Sequence, residues 1–272
     1  MKKGAVLGCT VFLFVILGVL AAADDLPAHR AIVITNDHEF TVENGVCSGS
    51  GTAEDPYVID YWLIDAGLDD YGISIHGTTR YFVIRGVEIT GAAKAGIYLS
   101  YVQNGTIEDC ILEANWTGIT LNFSSFNKIA DSLLSTNMDG IHTYFSHNNQ
   151  ISACTFEGND TAVWLDASNE NRISANLIAD SHMGVYLNLG SAENTVISNA
   201  FVDNLHDAYT DNPNAWDDGA SGNYWHGFSA IDADGNGIWD VPYQISSDGD
   251  QDNFPLVGHP LVPAPPPATC SP

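Results

Sequence analysis

Thr117-Gly118-Ile119-Thr120-Leu121-Asn122 opens a unit of this chain that closes at Met138 and then starts again. Ile119 and Leu121 alternate with Thr120 and Asn122, the period of two that marks a half-buried strand. Asn127 turns the chain, Ile129 returns to the apolar side, and Leu133-Leu134 begins another short strand before Asn137 turns it once more. The opening pair, a small residue followed by an aliphatic one, recurs as Gly72-Ile73, Gly96-Ile97, Gly118-Ile119, Gly140-Ile141, Ala162-Val163 and Gly184-Val185, at steps of 24, 22, 22, 22 and 22 residues. Ile107, Ile129, Ile151, Ile173 and Val196 keep the same register, as do Leu112, Leu134, Phe156, Ile178 and Phe201. A fixed period near 22 residues, built of short apolar runs broken by Gly and Asn, is the signature of a solenoid. Three short strands per coil, each pairing with its equivalents above and below, predict an all-β fold: a right-handed parallel β-helix with Ile, Leu, Val and Phe stacked inside. The Leu spacing of a leucine-rich repeat is absent.

Two Asn columns support this reading. Asn104, Asn127, Asn149, Asn171 and Asn194 form one; Asn115, Asn137, Asn159 and Asn204, interrupted by Ser181, form the other. Asn tolerates left-handed turns, and stacked amides bond coil to coil, so each Asn is expected to make the turn and tie it to the next.

The rest of the chain divides around the repeat. Residues 1–23 carry Lys2-Lys3, an apolar run from Ala5 to Leu20 and Ala21-Ala22-Ala23, the layout of a secretory signal; the run is also long enough for an uncleaved anchor. Residues 24–70 read as an N-terminal cap with a first irregular coil, 71–211 as about six regular coils, 212–258 as an Asp/Gly/Trp-rich C-terminal cap, and 259–272 as a Pro-rich extended tail. The formal charge is −26 with only eight Lys and Arg, which argues against nucleic acid as a partner and suits a soluble surface or cation capture. After signal cleavage no membrane span is expected, and the domain is expected to be an exported monomer, periplasmic, extracellular or on the cell surface. Of five cysteines, Cys9 falls in the signal and Cys270 in the tail. Cys110 and Cys154 share a column two coils apart, about 10 Å at strand spacing and beyond disulfide reach.

Gly49-Ser50-Gly51-Thr52-Ala53-Glu54-Asp55-Pro56-Tyr57-Val58-Ile59 resembles the entry segment of NosD-like β-helix proteins, also called periplasmic copper-binding proteins. Gly222-Asn223-Tyr224-Trp225 and Asp232-Ala233-Asp234-Gly235-Asn236-Gly237-Ile238-Trp239-Asp240-Val241-Pro242-Tyr243 resemble that family's C-terminal signature. The resemblance spans roughly residues 30–257. It implies an exported β-helix related to carbohydrate-binding proteins and sugar hydrolases, with copper handling for those members tied to nitrous oxide reductase maturation.

Four constellations carry chemistry. Between the inward pair of each coil's first strand sits an outward residue: Tyr98, Thr120, His142, Trp164, Tyr186 and then Tyr209, an aromatic stripe on which sugar rings could pack. Asn122, Tyr144, Asp166, Asn188 and Asp211 lie beside it as hydroxyl partners; stacking that stabilises the sheet is the competing explanation. Second, Asp232, Asp234, Asn236 and Asp240 around Gly237 follow the first half of a calcium loop. Tyr243 replaces its closing Glu, leaving Asp248, Asp250 and Asp252 to fold back as Ca²⁺ ligands. Third, Asn137-Met138-Asp139-Gly140 resembles the Asn-x-Asp strip of polygalacturonase-like hydrolases, but the companion Gly-His-Gly and Arg-x-Lys strips and the Asp-Pro-His motif of mannuronan epimerases are missing. Asp139 and Asp166 are therefore the carboxylates an enzyme would use, with a repeat-column role as the alternative. Fourth, Met138, Asp160 and His182 share a column near Met183 and His206, mixed donors suited to copper, with isolated surface His as the alternative. The expected function is non-catalytic binding of glycan or cell-envelope polysaccharide with a calcium-stabilised cap. A lyase, epimerase or hydrolase is the first alternative, and copper handling the second.

Overall fold

The computed structural model describes residues 26–261 apart from Leu68 and 246–248; the signal segment, Cys9, Asp248, Cys270 and most of the Pro-rich tail lie outside the described residues. The chain winds as a parallel β-helix in which three sheets of eight strands run the length of the molecule. The first sheet carries the longest strands, among them Tyr71–His76, Ala95–Ser100, Thr117–Asn122, Asp139–Tyr144, Thr161–Asp166 and Met183–Asn188. The second follows it in each coil and includes Lys128–Ala130 and Gln150–Ser152. The third, with Leu133–Ser135 and Thr155–Glu157, closes the coil.

Stacking continues beyond the regular repeats. Ile32–Ile34 pairs with Tyr71–His76, Tyr57–Asp60 with Phe82–Arg85, and Leu63–Asp65 with Glu88–Thr90, so the N-terminal region already contains one coil in register. An excursion holding the antiparallel strand Val46–Ser48 interrupts it. At the other end Tyr224–Trp225 adds the last strand to the third sheet.

The inward columns lie where the period places them. Ile107, Ile129, Ile151, Ile173 and Val196 are each no more than 1% exposed, as are Leu112, Leu134, Phe156, Ile178 and Phe201. The small residue opening each long strand has a steric cause: a Cβ on Gly140 would stand 2.4 Å from the carbonyl oxygen of Ala162 and 2.8 Å from the Phe156 ring. Cys110 and Cys154 are buried free thiols in one column, with Ser132 between them. Burial pushes both thiols up to about 12, so they are inert packing residues.

The turns correct the sequence reading in three ways. The left-handed residue is not the column Asn but the residue before it: Phe126, Asn148, Glu170 and Glu193 have φ of 57–60° ahead of Asn127, Asn149, Asn171 and Asn194. This turns each Asn inward, where its Oδ1 accepts the backbone N–H of the preceding coil's Asn at 2.8–2.9 Å. Its Nδ2 reaches back to a carbonyl of that coil, as from Asn149 to Ser124 and from Asn171 to Ser146. Buried amides thus satisfy the corner groups that no strand partner can reach. Next, Asn104 does not belong to this ladder. Gly105 N–H meets Asn127, while Asn104 is itself left-handed and donates to Thr79 O. Finally, there are two further ladders. One links Cys110, Ser132, Cys154, Asn176, Asn199 and Asn223 by side chain or column register; the other links Ser124, Ser146, Ser168 and Ser191.

Candidate functional site

Strand register places three rows side by side on the outer surface of the first sheet. Tyr98, Thr120, His142, Trp164, Tyr186 and Tyr209 are direct cross-strand partners and form the inner row. Two positions along, Ser100, Asn122, Tyr144, Asp166 and Asn188 form a polar row. One position further, at the corner, stands a row that sequence reading passed over: Tyr101, Phe123 and Phe145. Their rings stack with centroids 5.0 and 5.3 Å apart and planes within 5°. They are 62%, 41% and 40% exposed. The signal was present, since these residues recur at 22-residue steps; turn positions are simply not where exposed aromatics are sought.

The inner row is more enclosed than a free stripe. Trp164 is half-buried, its indole N–H donating to Asp166 Oδ1 at 2.7 Å and lying 3.2 Å from Asn188 Oδ1. His142 stacks on Trp164 at 4.6 Å, and its Nε2 is 3.2 Å from Asp166 Oδ2. Tyr186 meets Trp164 edge-on and tilts against Tyr209. Tyr98 stacks on Tyr71 at 4.5 Å, and its hydroxyl accepts from Asn122 Nδ2. Each ring is thus held by neighbours before any ligand arrives. The polar row lies between inner row and corner row, with Ser100 and Asp166 buried and Tyr144 exposed.

Asp139 lies next to this surface. It pairs in register with Thr117 and Thr161 and is 5% exposed. Burial raises its carboxyl to about 6, with Asp160 and Asp166 adding to the effect while His142 and a bond from Thr117 oppose it. The two carboxylates singled out in the sequence therefore share one electrostatic neighbourhood, which also includes His142.

The metal donors are distributed differently. Asp250 and Asp252, expected to fold back on the calcium loop, instead end two ladders. Asp250 Oδ2 accepts from Asn214 N and Trp216 Nε1 at 3.0 and 3.2 Å. Asp252 Oδ2 accepts from Asn223 N and Trp225 Nε1 at 2.7 and 2.9 Å, and its Oδ1 from Phe254 N. Asp252 is fully buried, and desolvation raises its carboxyl despite these donors. The physical reason is ladder polarity: the N–H of each ladder residue points toward the C-terminal end, so the last coil presents donors that a carboxylate satisfies well. In the loop itself Asp232 accepts Asn236 N and Gly237 N, Asp234 accepts Asn236 N, and Asp240 accepts Ala233 N. The copper donors also stand apart: His182 Nδ1 is 4.0 Å from Asp160 Oδ1, and the His182 and His206 rings meet edge-on at 5.7 Å. Among the described residues no three His, Cys, Asp or Glu side chains are grouped so as to hold a metal ion. Among those residues, too, no helix is long and apolar enough to cross a membrane.

Stacked parallel coils, amide ladders and a three-row outer face make this a β-helix protein with a ready-made elongated surface. The chain belongs to the NosD family: the family described as periplasmic copper-binding protein (NosD) matches residues 65–230. A curated relative, the probable ABC transporter binding protein NosD of Pseudomonas aeruginosa, is 32% identical over 75 residues, 27% of this chain and 18% of that protein. Among solved structures, the alginate lyase from Paenibacillus sp. str. FPU-7 superposes with TM-score 0.46 at 13% identity, covering 68% of this chain and 95% of the lyase. The pectate lyase Pel9A does so with TM-score 0.43 at 15% identity, covering 72% and 71%.

Proposed function

We propose that this chain is an exported glycan-binding β-helix whose ligand lies on the outer face of the first sheet. The observation that carries the reading is the band of rows: hydroxyl-matching groups of the polar row beside an inner row of rings broken only at Thr120, flanked over three coils by Tyr101, Phe123 and Phe145. Sugars combine apolar C–H faces with equatorial hydroxyls, and such a surface offers partners to both. The rings are already held by stacking and hydrogen bonds, so little side-chain freedom is lost on binding. Trp164→Ala tests it. Loss of retention on a polysaccharide column, with the melting temperature lowered by no more than a few degrees, supports binding; a large fall in melting temperature with retention unchanged would assign the row to sheet stability.

A second reading, a polysaccharide-active enzyme, is favoured by Asp139. A carboxyl raised to about 6 beside a His and a second carboxylate is equipped for proton transfer near neutral pH. Incubation of the protein with the polysaccharides it retains, examined for shortened or unsaturated products, decides between binder and enzyme.

The cap is proposed to gain stability from calcium at Asp232, Asp234, Asn236 and Asp240, a hard-oxygen set around the turn at Gly237. Binding to the folded state raises its stability by linkage. The expected result is a higher Tm in excess calcium than in chelator, abolished by Asp234→Ala; identical Tm values in both would remove the proposal.

A further inference from the structure

We infer that the ligand is a linear, uncharged glycan lying parallel to the helix axis, one sugar ring to each coil; the inference rests on the glycan-binding reading and specifies its substrate class. The first argument is repeat distance. Successive coils are about 4.8 Å apart, close to the length of one 4-linked pyranose ring between its glycosidic oxygens. A chain laid along the axis therefore meets the inner and polar rows at every step, and the aromatic corner row at Tyr101, Phe123 and Phe145. A chain laid across the sheet would meet each row once.

The second argument is charge. None of the three rows contains Lys or Arg. Of the described cations, Arg80, Arg85 and Lys94 are paired with Asp37, Asp60 and Asp70. Lys128 and Arg172 stand on the second sheet, and Arg30 precedes the first strand. A polyuronate would bring one carboxylate per sugar to a face that already holds Asp166 with Asp139 beside it, on a chain of net charge −26. No counter-charge is available in the rows, and like charges at contact distance repel strongly in a partly desolvated site. A neutral chain keeps the aromatic contacts and leaves Asn122, Asn188 and Asp166 to meet its hydroxyls.

The third argument is the shape of the walls. The exposed corner row rises on one side and the half-buried inner row on the other, with buried Ser100 and Asp166 between them. The inner and polar rows continue over five coils, from Tyr98 to Tyr186, and the aromatic corner row flanks the first three, from Tyr101 to Phe145.

Calorimetric titration of the folded protein with cello-, manno-, xylo- and chito-oligosaccharides, from disaccharide to octasaccharide, tests this beside oligogalacturonates and alginate oligosaccharides. The expected result is that at least one neutral series binds. Its affinity should rise with each added sugar and level off at about five, the number of coils at strand spacing, while the uronate series do not bind. Phe123→Ala and, separately, Phe145→Ala should each lower the affinity for the longer neutral oligosaccharides about tenfold, the loss of one aromatic contact, with unchanged Tm. Uronate binding equal to neutral binding, an affinity that stops rising at a disaccharide, or full affinity in both Phe variants overturns this inference and leaves the glycan reading standing. Failure of every series to bind overturns both.

Discussion

Asp139 shows what one residue owes to its surroundings. Its position in the first strand of a coil is a repeat position, and its Thr117 and Thr161 partners are neutral. Burial raises its folded carboxyl from the ordinary 3.8 to about 6. For a group shifted upward, the favourable contribution is fully present below the unfolded value and is lost as pH rises through the folded value. Asp139→Asn removes that loss. The variant should match the parent at about pH 3 and exceed it above pH 6 by about 1–2 kcal/mol, after allowing for solvent screening. Urea denaturation at the two pH values measures this; equal differences at both would mean that Asp139 does not carry the raised value. Asp139 was legible as a candidate from its Asn-x-Asp setting, but the burial and the His142–Asp166 pair beside it were not.

At the scale of one structural element, the corner is where this fold is most demanding. A coil must leave one sheet and enter the next within a few residues, and its buried amides have no strand partner there. Asn171 resolves one such corner with its amide. Its N–H and Nδ2 meet Asn194, Nδ2 also reaches Ser146 O and Asn169 O, and its Oδ1 receives Asn149 N–H. Asn171→Ala strands the Asn149 N–H and the Ser146 carbonyl in the interior, at a cost of about 2–4 kcal/mol. Asn104→Ala, at a half-buried residue outside the ladder whose bond to Thr79 O is exposed, should cost clearly less. Chemical denaturation of the pair checks this, and equal losses would show that the ladder contributes nothing beyond the turn. The Asn columns were visible as spacing. Which residue of each turn takes the left-handed conformation was not, because a periodicity of 22 does not distinguish an Asn from the residue before it.

Over the whole molecule, a solenoid's stability depends on how its ends are closed. Here the C-terminal end is closed by two carboxylates two residues apart, Asp250 and Asp252, each ending a ladder and holding a buried tryptophan. Gly222 is part of the same fit, since a Cβ there would overlap the Asp252 carboxylate. Asp252→Ala leaves Asn223 N–H, Trp225 Nε1 and Phe254 N–H without their acceptor, and a loss of about 3–5 kcal/mol is expected. Hydrogen exchange should show it first as lost protection in the last coil; protection unchanged at Asn223 and Trp225 would count against the capping role.

The sequence by itself determined the coil. Alternation of two within a strand and a period near 22 between strands are local and repetitive, so the three sheets, the inward columns and the inner aromatic row follow from counting. Tertiary structure alone decided the rest. The candidate surface exists because the inner row, polar row and corner row are brought together by stacking of coils, each row joining residues 22 or 23 apart in the chain. Asp250 and Asp252 looked like metal ligands because spacing reports only how many oxygens are nearby. Their partners, Asn214 and Asn223, are 36 and 29 residues away, and only the closing of the last coil selects them. Periodic contacts can be read from one coil and extended to all; contacts made once, at an end or across a corner, depend on where the chain returns in space.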